Sequence, residues 1–188
     1  SGPMYDINGS NVGSVSDATT PEVEEGGISA ITGNHINNAN IFYLQSPDNS
    51  DWTEPQDPMM WNSGTDEKPI KTDYDPCPSG WRVPTYEELT SLCSNNSSPW
   101  LEDESGQLGR WYSGIYLFDD ATSIVFLQAA GVLDRTNGKG ARRGEEGVYW
   151  SSNKGHSAVH SYAMGISSST MGSMWPRSNG CSVRCVQE

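Results

Sequence analysis

The stretch Tyr74-Asp-Pro-Cys-Pro-Ser-Gly-Trp-Arg-Val-Pro-Thr-Tyr-Glu-Glu-Leu89 decides how the chain is read. Its first half, Cys77 to Pro84, has the composition of a staple: Pro and Gly fix a turn, and Trp81 is expected to fill the core beneath it. Its second half announces a helix. Thr85 and Glu88 form a capping box, in which hydroxyl and carboxylate each accept from the other residue's backbone N–H. Pro84 keeps the chain extended up to that point. Tyr86, Leu89, Leu92 and Cys93 then recur at helical spacing and define one buried face. Asn95 to Pro99 ends the helix.

Downstream, the pattern changes from helical to period two. Ser123–Leu127 and Val148–Ser152 read as strands. From His160 to Ile166 large residues alternate with small ones, as in a half-buried strand. Cys181–Val186 shows the same period and is read as the last strand. The intervening Thr136–Gly147 and Ser167–Gly180 read as Gly-rich loops. Upstream, Ile41–Leu44 is a short apolar run, expected as a strand or docking segment. Ser46–Tyr74 reads as a loop held to the core by Trp52, Met59, Met60 and Trp61, since such residues are seldom left in water. Residues 1 to 40 are rich in Gly, Ser, Asn and Asp and read as an irregular N-terminal segment, with Pro21–Gly27 as a turn or exposed loop. One helix followed by antiparallel strands is an α+β plan, placed in residues 41–188.

Composition narrows the function. Across 188 residues, 11 basic and 24 acidic side chains give a net charge of −13, which repels phosphate backbones and argues against nucleic acid. No apolar run is long enough to insert in a bilayer, and no signal segment or anchor is read in the chain. Four Cys in a loop-rich chain with seven Trp and eight Tyr point to an oxidising compartment. In extended chain Cys181 and Cys185 lie about 13 Å apart on one face, too far to pair with each other. Each then needs Cys77 or Cys93 as partner, or Cys93 and Cys181 are buried free thiols. A zinc site is disfavoured, because His35, His156 and His160 do not cluster with the Cys.

The run from Tyr74 to Thr85, together with Phe126-Leu-Gln-Ala-Ala-Gly131, Gly147-Val-Tyr-Trp-Ser-Ser152 and Arg177-Ser-Asn-Gly-Cys-Ser-Val-Arg-Cys-Val186, resembles the Fibrobacter succinogenes major paralogous domain. That domain also forms the C-terminal part of fimbrillin-like surface proteins of gut Bacteroidetes. The resemblance covers about residues 30 to 188. It implies a C-type lectin-like fold: a well-capped helix, then a small twisted antiparallel sheet with long loops. It also implies a disulfide between Cys77 and Cys185, and the extra Cys93 and Cys181 suggest a second, chain-specific bridge. The family's usual opening strand is not found in residues 1 to 40: either the sequence is a piece of a longer protein or the sheet lacks a strand, and an open edge is then a place where a strand from another segment can pair. Trp81, Arg82, Trp150, Arg177 and Arg184 are read as structural, the guanidinium groups binding carbonyls.

If the motifs are scaffold, binding belongs to the loops between them. The candidate ligand-binding residues are Asn153, Lys154, His156 and His160 in one loop, and Ser168, Ser169, Met174 and Trp175 in the next, a paratope-like mixture of adaptable polar groups and aromatic anchors. The expected role is non-catalytic recognition or adhesion at a bacterial cell surface, with a host or microbial glycan or protein as partner. The alternative is a structural or tip subunit of a fimbria-like assembly of sister subunits. Less favoured are a diversified retroelement-type binding protein and an enzyme of the formylglycine-generating type, which would need a reactive Cys. Glu54-Pro-Gln-Asp57 sits too early for the calcium site of a lectin, and no cofactor is expected.

Overall fold

The computed structural model describes residues 2–5, 11–15, 22–24, 41–46, 51–94, 100–101, 114–118, 124–167 and 171–188. Among the described residues the strands form small sheets, antiparallel with one exception, beside one short helix, so the α+β plan holds at that level. The N-terminal strands β1 (Gly2–Tyr5) and β2 (Asn11–Val15) form an antiparallel pair. Next, β3 (Glu22–Glu24) runs parallel to β4 (Ile41–Tyr43). The strand expected at Ile41 is therefore present. The turn expected around Glu22 is instead its partner, and alternation there leaves Val23 about 41% exposed.

The Cys-Pro staple is organised by two side chains that composition did not single out. Asp75 is buried. Its carboxylate accepts from Cys77 N at 2.8 Å and Val83 N at 2.9 Å, which closes the turn between them. Lys71 Nζ reaches into the same turn and donates to the carbonyls of Cys77 (2.5 Å), Pro78 (3.1 Å) and Trp81 (2.5 Å). Strand β5 (Trp81–Arg82) then pairs antiparallel with β14 (Val186–Gln187), and Cys77 is disulfide-bonded to Cys185. Trp81 does not fill the core: it is 44% exposed, while Val83 is fully buried. The turn is held by Asp75 and Lys71, so it does not need an indole beneath it.

Helix α1 (Tyr86–Ser94) begins as its capping box dictates. Thr85 Oγ1 accepts from Glu88 N at 3.3 Å, and Glu88 Oε2 accepts from Thr85 N at 2.8 Å. Glu88 also makes a two-pronged ion pair with Arg82, at 2.8 and 2.6 Å. The hydrogen bond from Arg82 is the main reason its carboxyl sits below the ordinary range, with Thr85 adding to it. Arg82 thus binds chiefly a carboxylate, where carbonyls were expected. The helix packs on the central sheet.

That sheet consists of β11 (Glu146–Lys154), β12 (His160–Ser167) and β13 (Met171–Pro176), antiparallel with β12 in the middle. Strand β13 falls in a region read from sequence as loop, and its register with β12 carries it from Ile166↔Met171 to His160↔Pro176. Strand β12 is not half-buried: Ala163 and Met164, which point to opposite faces, are both essentially inaccessible. Two cores meet across the sheet. On one face Tyr149, Met164 and Ile166 pack with Leu89 and Leu127, flanked by Leu92, Trp100 and Val125. On the other, Val148, Trp150 and Ala163 pack with Val132, flanked by Trp61, Trp175, Cys181 and Val183.

Leu127 lies on β8 (Ile124–Gln128), which pairs with β7 (Gly114–Phe118), itself paired with β6 (Trp100–Leu101). Tyr149 ties this sheet to β11 by donating its hydroxyl to Gln128 O at 2.8 Å, and burial pushes its pKa up to about 12. Val132 belongs to β9 (Val132–Leu133), paired with β10 (Gly140–Ala141). Gly131, just before β9, has φ +75°, and a Cβ there would come within 2.2 Å of Ala141 O. Only glycine fits.

The last segment is not the regular strand expected. It is an extended tail laid parallel to β11: Ser182 N donates to Val148 O and Trp150 N donates to Ser182 O, both at 2.9 Å. Cys181 carries a free thiol, so the second bridge to Cys93 is not formed. The Cys93 side chain lies outside the described residues. Cys181 packs against the second core, and desolvation, with Glu146 adding, holds its thiol well above the usual range.

Candidate ligand-binding cleft

The second face of the central sheet does not end in closed core. Beyond Trp150 the strand continues as Ser151 and Ser152, and there the loop from Asp51 to Pro76 arches over it. Between them opens a cleft of about 310 Å³, at the small end of the range of roughly 300–1,000 Å³ found for small-molecule sites. Its walls are aromatic: Phe42 and Tyr43 from β4, Trp52, Trp61 and Tyr74 from the loop, and Trp150 from β11. Tyr43 and Trp52 stack with ring centroids 6.2 Å apart. Tyr74 is 40% exposed at the rim.

The loop is shaped by its own polar contacts. Asn62 Oδ1 accepts from Gly64 N and Ile70 N, both at 2.9 Å. Thr72 donates its hydroxyl to Met60 O. Ser46 N donates to Asp51 O at 2.5 Å. Of the four expected anchors, Trp52, Met60 and Trp61 are half-buried and line the cleft. Met59 is 37% exposed and pins nothing. Trp61 anchors the loop against the second core and also lines the cleft, while Trp52 and Met60 line the cleft.

Within the lining lies an ion pair that joins residues 126 positions apart. Arg177 donates from Nε to Asp51 Oδ2 at 3.0 Å and from Nη2 to the same oxygen. Nη2 also donates to Ala158 O. The two side chains are 9% and 1% exposed, so the cleft holds a charge pair that is internally neutral. Arg177 Nη1 and Ser152 Oγ there have no hydrogen-bond partner among the described residues. A buried polar atom left so typically costs about 1–3 kcal/mol.

Ser152 also lines a second cavity of about 250 Å³, together with Met59, Asn62, Gly64, Thr65, Asp66, Glu67 and Lys154. This recess is lined mostly by polar side chains where the cleft is lined by aromatic ones, and Ser152 belongs to both linings.

The residues expected from sequence are distributed differently. Lys154 is exposed and lines the second recess. Asn153 turns inward: it is 6% exposed, and its side-chain carbonyl accepts from Tyr86 N at 2.7 Å, completing the helix N-terminus from across the sheet. His156 sits on the turn between β11 and β12, and His160 is the first residue of β12. His156 Nε2 bonds with the Tyr162 hydroxyl at 2.5 Å, and His160 Nδ1 with the Ser157 hydroxyl at 2.6 Å. Met174 is 41% exposed on β13. Trp175 packs against the second core with the Arg142 guanidinium 5.5 Å from its ring centroid. Ser168 and Ser169 lie outside the described residues. Of these residues, Lys154 lines the second recess.

Of the remaining arginines, Arg177 is the cleft-lining partner of Asp51, while Arg184 is exposed and donates to Phe126 O at 3.5 Å. Trp150 is core, 5% exposed, and also cleft wall. Among the described residues no three His, Cys, Asp or Glu side chains gather as a metal set, and no helix is long and apolar enough to cross a membrane.

A family model described as a domain of unknown function (DUF8237) matches residues 116–186, less than half of the chain. The match takes in the central sheet, Trp150, Ser152 and Arg177, but not the Asp51–Pro76 arch that supplies the other wall. No curated protein and no solved structure matches the chain.

Proposed function

We propose that this chain is a non-catalytic recognition domain of C-type lectin-like form, displayed outside the cell on a bacterial surface, where it binds a glycan or protein. The observation that carries the reading is the cleft itself, in which a cluster of aromatic rings faces a set of polar side chains, among them an internally neutralised ion pair. Rigid aromatic walls combined with polar contacts are the make-up of a binding site. The four ordered motifs support the fold family. The Cys77–Cys185 bridge supports an oxidising environment.

Cys181 and Cys185, the pair that invites comparison with a formylglycine-generating type of enzyme, give that chemistry little support. Cys185 is bridged, and burial keeps Cys181 protonated. The binding surface we assign differs from the two C-terminal loops: it is the cleft between the Asp51–Pro76 arch and β11.

Arrays of glycans and of extracellular proteins, probed with the whole chain, test this. A saturable hit that weakens at least tenfold on Tyr74→Ala is expected. Absence of any hit on both arrays would overturn the recognition reading.

A further inference from the structure

Resting on that recognition reading, we propose that the aromatic cleft and the polar recess are two subsites of one groove, joined at Ser152, that takes a short neutral oligosaccharide. Three observations carry it. First, the two cavities are neighbours: Ser152 lines both, and the consecutive residues Met59 and Met60 line the recess and the cleft respectively. A ligand longer than one ring that enters the cleft is led toward Lys154.

Second, the chemistry of the walls is that of a sugar. Flat indole and phenol rings offer faces to a C–H-rich pyranose surface, while hydroxyls around its edge need donors and acceptors close by. The cleft holds donors of the right kind. Arg177, 9% exposed, lines it with Nε and Nη2 committed and Nη1 without a partner among the described residues; the buried Ser152 hydroxyl likewise has none among them. A sugar hydroxyl accepts from these groups, directly or through one bridging water.

Third, charge selects the neutral class. Arg177 is already neutralised by Asp51, Asp57 lies in the cleft lining, and Asp66 and Glu67 outnumber Lys154 in the recess. The whole chain carries −13. A carboxylate- or sulfate-bearing glycan would meet repulsion at both ends of the groove.

The test uses the full chain and its tryptophan fluorescence, with Trp52, Trp61 and Trp150 as reporters. The probes are disaccharides and tetrasaccharides of the cello-, chito-, malto- and manno- series, with digalacturonate and tetragalacturonate as acidic counterparts. At least one neutral series is expected to bind. Its tetrasaccharide should bind at least tenfold more tightly than its disaccharide, and no acidic probe should bind. Lys154→Ala should weaken the tetrasaccharide and leave the disaccharide unchanged, while Ser152→Ala should weaken both.

The inference is overturned if no neutral series binds, if acidic probes bind as well, or if the tetrasaccharide shows no gain. Those results, with a Tyr74-dependent protein hit on the arrays, would leave the recognition reading standing; blank arrays would remove both.

Discussion

The two faces of the central sheet are built from the same three strands yet do different work. On one face Tyr149, Met164 and Ile166 meet Leu89 and Leu127 in a closed apolar layer. On the other, Val148, Trp150 and Ala163 begin as core, but the layer opens past Trp150 into the cleft under the Asp51–Pro76 arch. The difference lies in what covers each face. A capped helix and a three-stranded sheet present continuous apolar surface. An arch held by Asn62 and by the Asp51–Arg177 pair presents aromatic rings across a gap.

The strongest way to break the second face is to remove one member of its ion pair. Asp51→Ala strands the Arg177 guanidinium in a buried setting and should cost about 3–5 kcal/mol. The apolar double replacement Asp51→Leu/Arg177→Met should cost much less, because no charge is left unpaired. Urea unfolding of the three chains measures both.

The first face breaks differently. Met164→Ala, at a residue 1% exposed, should lower stability by about 2–5 kcal/mol through the cavity it leaves. Ligand affinity below the melting point should be unchanged, since Met164 faces away from the cleft. A chain that lost binding while still folded would mean that the two faces are coupled.

A smaller effect concerns the cap that holds the helix to the first face. The Glu88 carboxyl is held below its ordinary value of 4.5 by Arg82 and Thr85. A depressed folded-state pKa contributes stability that is present above the unfolded value and lost as pH falls through the folded one. With Glu88 41% exposed, the ion pair is worth about 0.2–1 kcal/mol. Glu88→Gln should therefore lower stability slightly at pH 7, and acid melting curves below about pH 4.5 should show a shallower loss than wild type.

What the sequence made legible follows the distance over which information acts. Thr85 and Glu88 stand three residues apart, and the helix start could be read from them alone. The strands at β8 and β11 were carried by β-branched and aromatic runs. The Cys77–Cys185 bridge came through the family resemblance, not through local pattern. Strand β12 looked half-buried because Ala163 and Gly165 are small, whereas their smallness lets a second core approach. Strand β13 was hidden by Ser, Gly and Met, and its pairing is dictated by β12.

The cleft was legible only as a surplus of Trp and Met in a loop. Those residues were read as anchors because nothing local distinguishes a ring that fills a core from one that faces a gap. The partner that shapes the cleft, Arg177, lies 126 residues from Asp51, a pairing that no spacing rule reaches. Trp81 errs the other way, since a buried Asp75 makes its packing unnecessary.

The central claim is that binding belongs to the cleft rather than to the β11–β12 turn. The most direct measurement compares Tyr74→Ala with His156→Ala on the same glycan and protein arrays, after circular dichroism has shown both chains folded. Both side chains are exposed, so both substitutions should change stability by no more than about 0.5 kcal/mol. The cleft account predicts at least a tenfold loss of binding for Tyr74→Ala and wild-type binding for His156→Ala. The reverse pattern, with binding lost at His156 and kept at Tyr74, would contradict it.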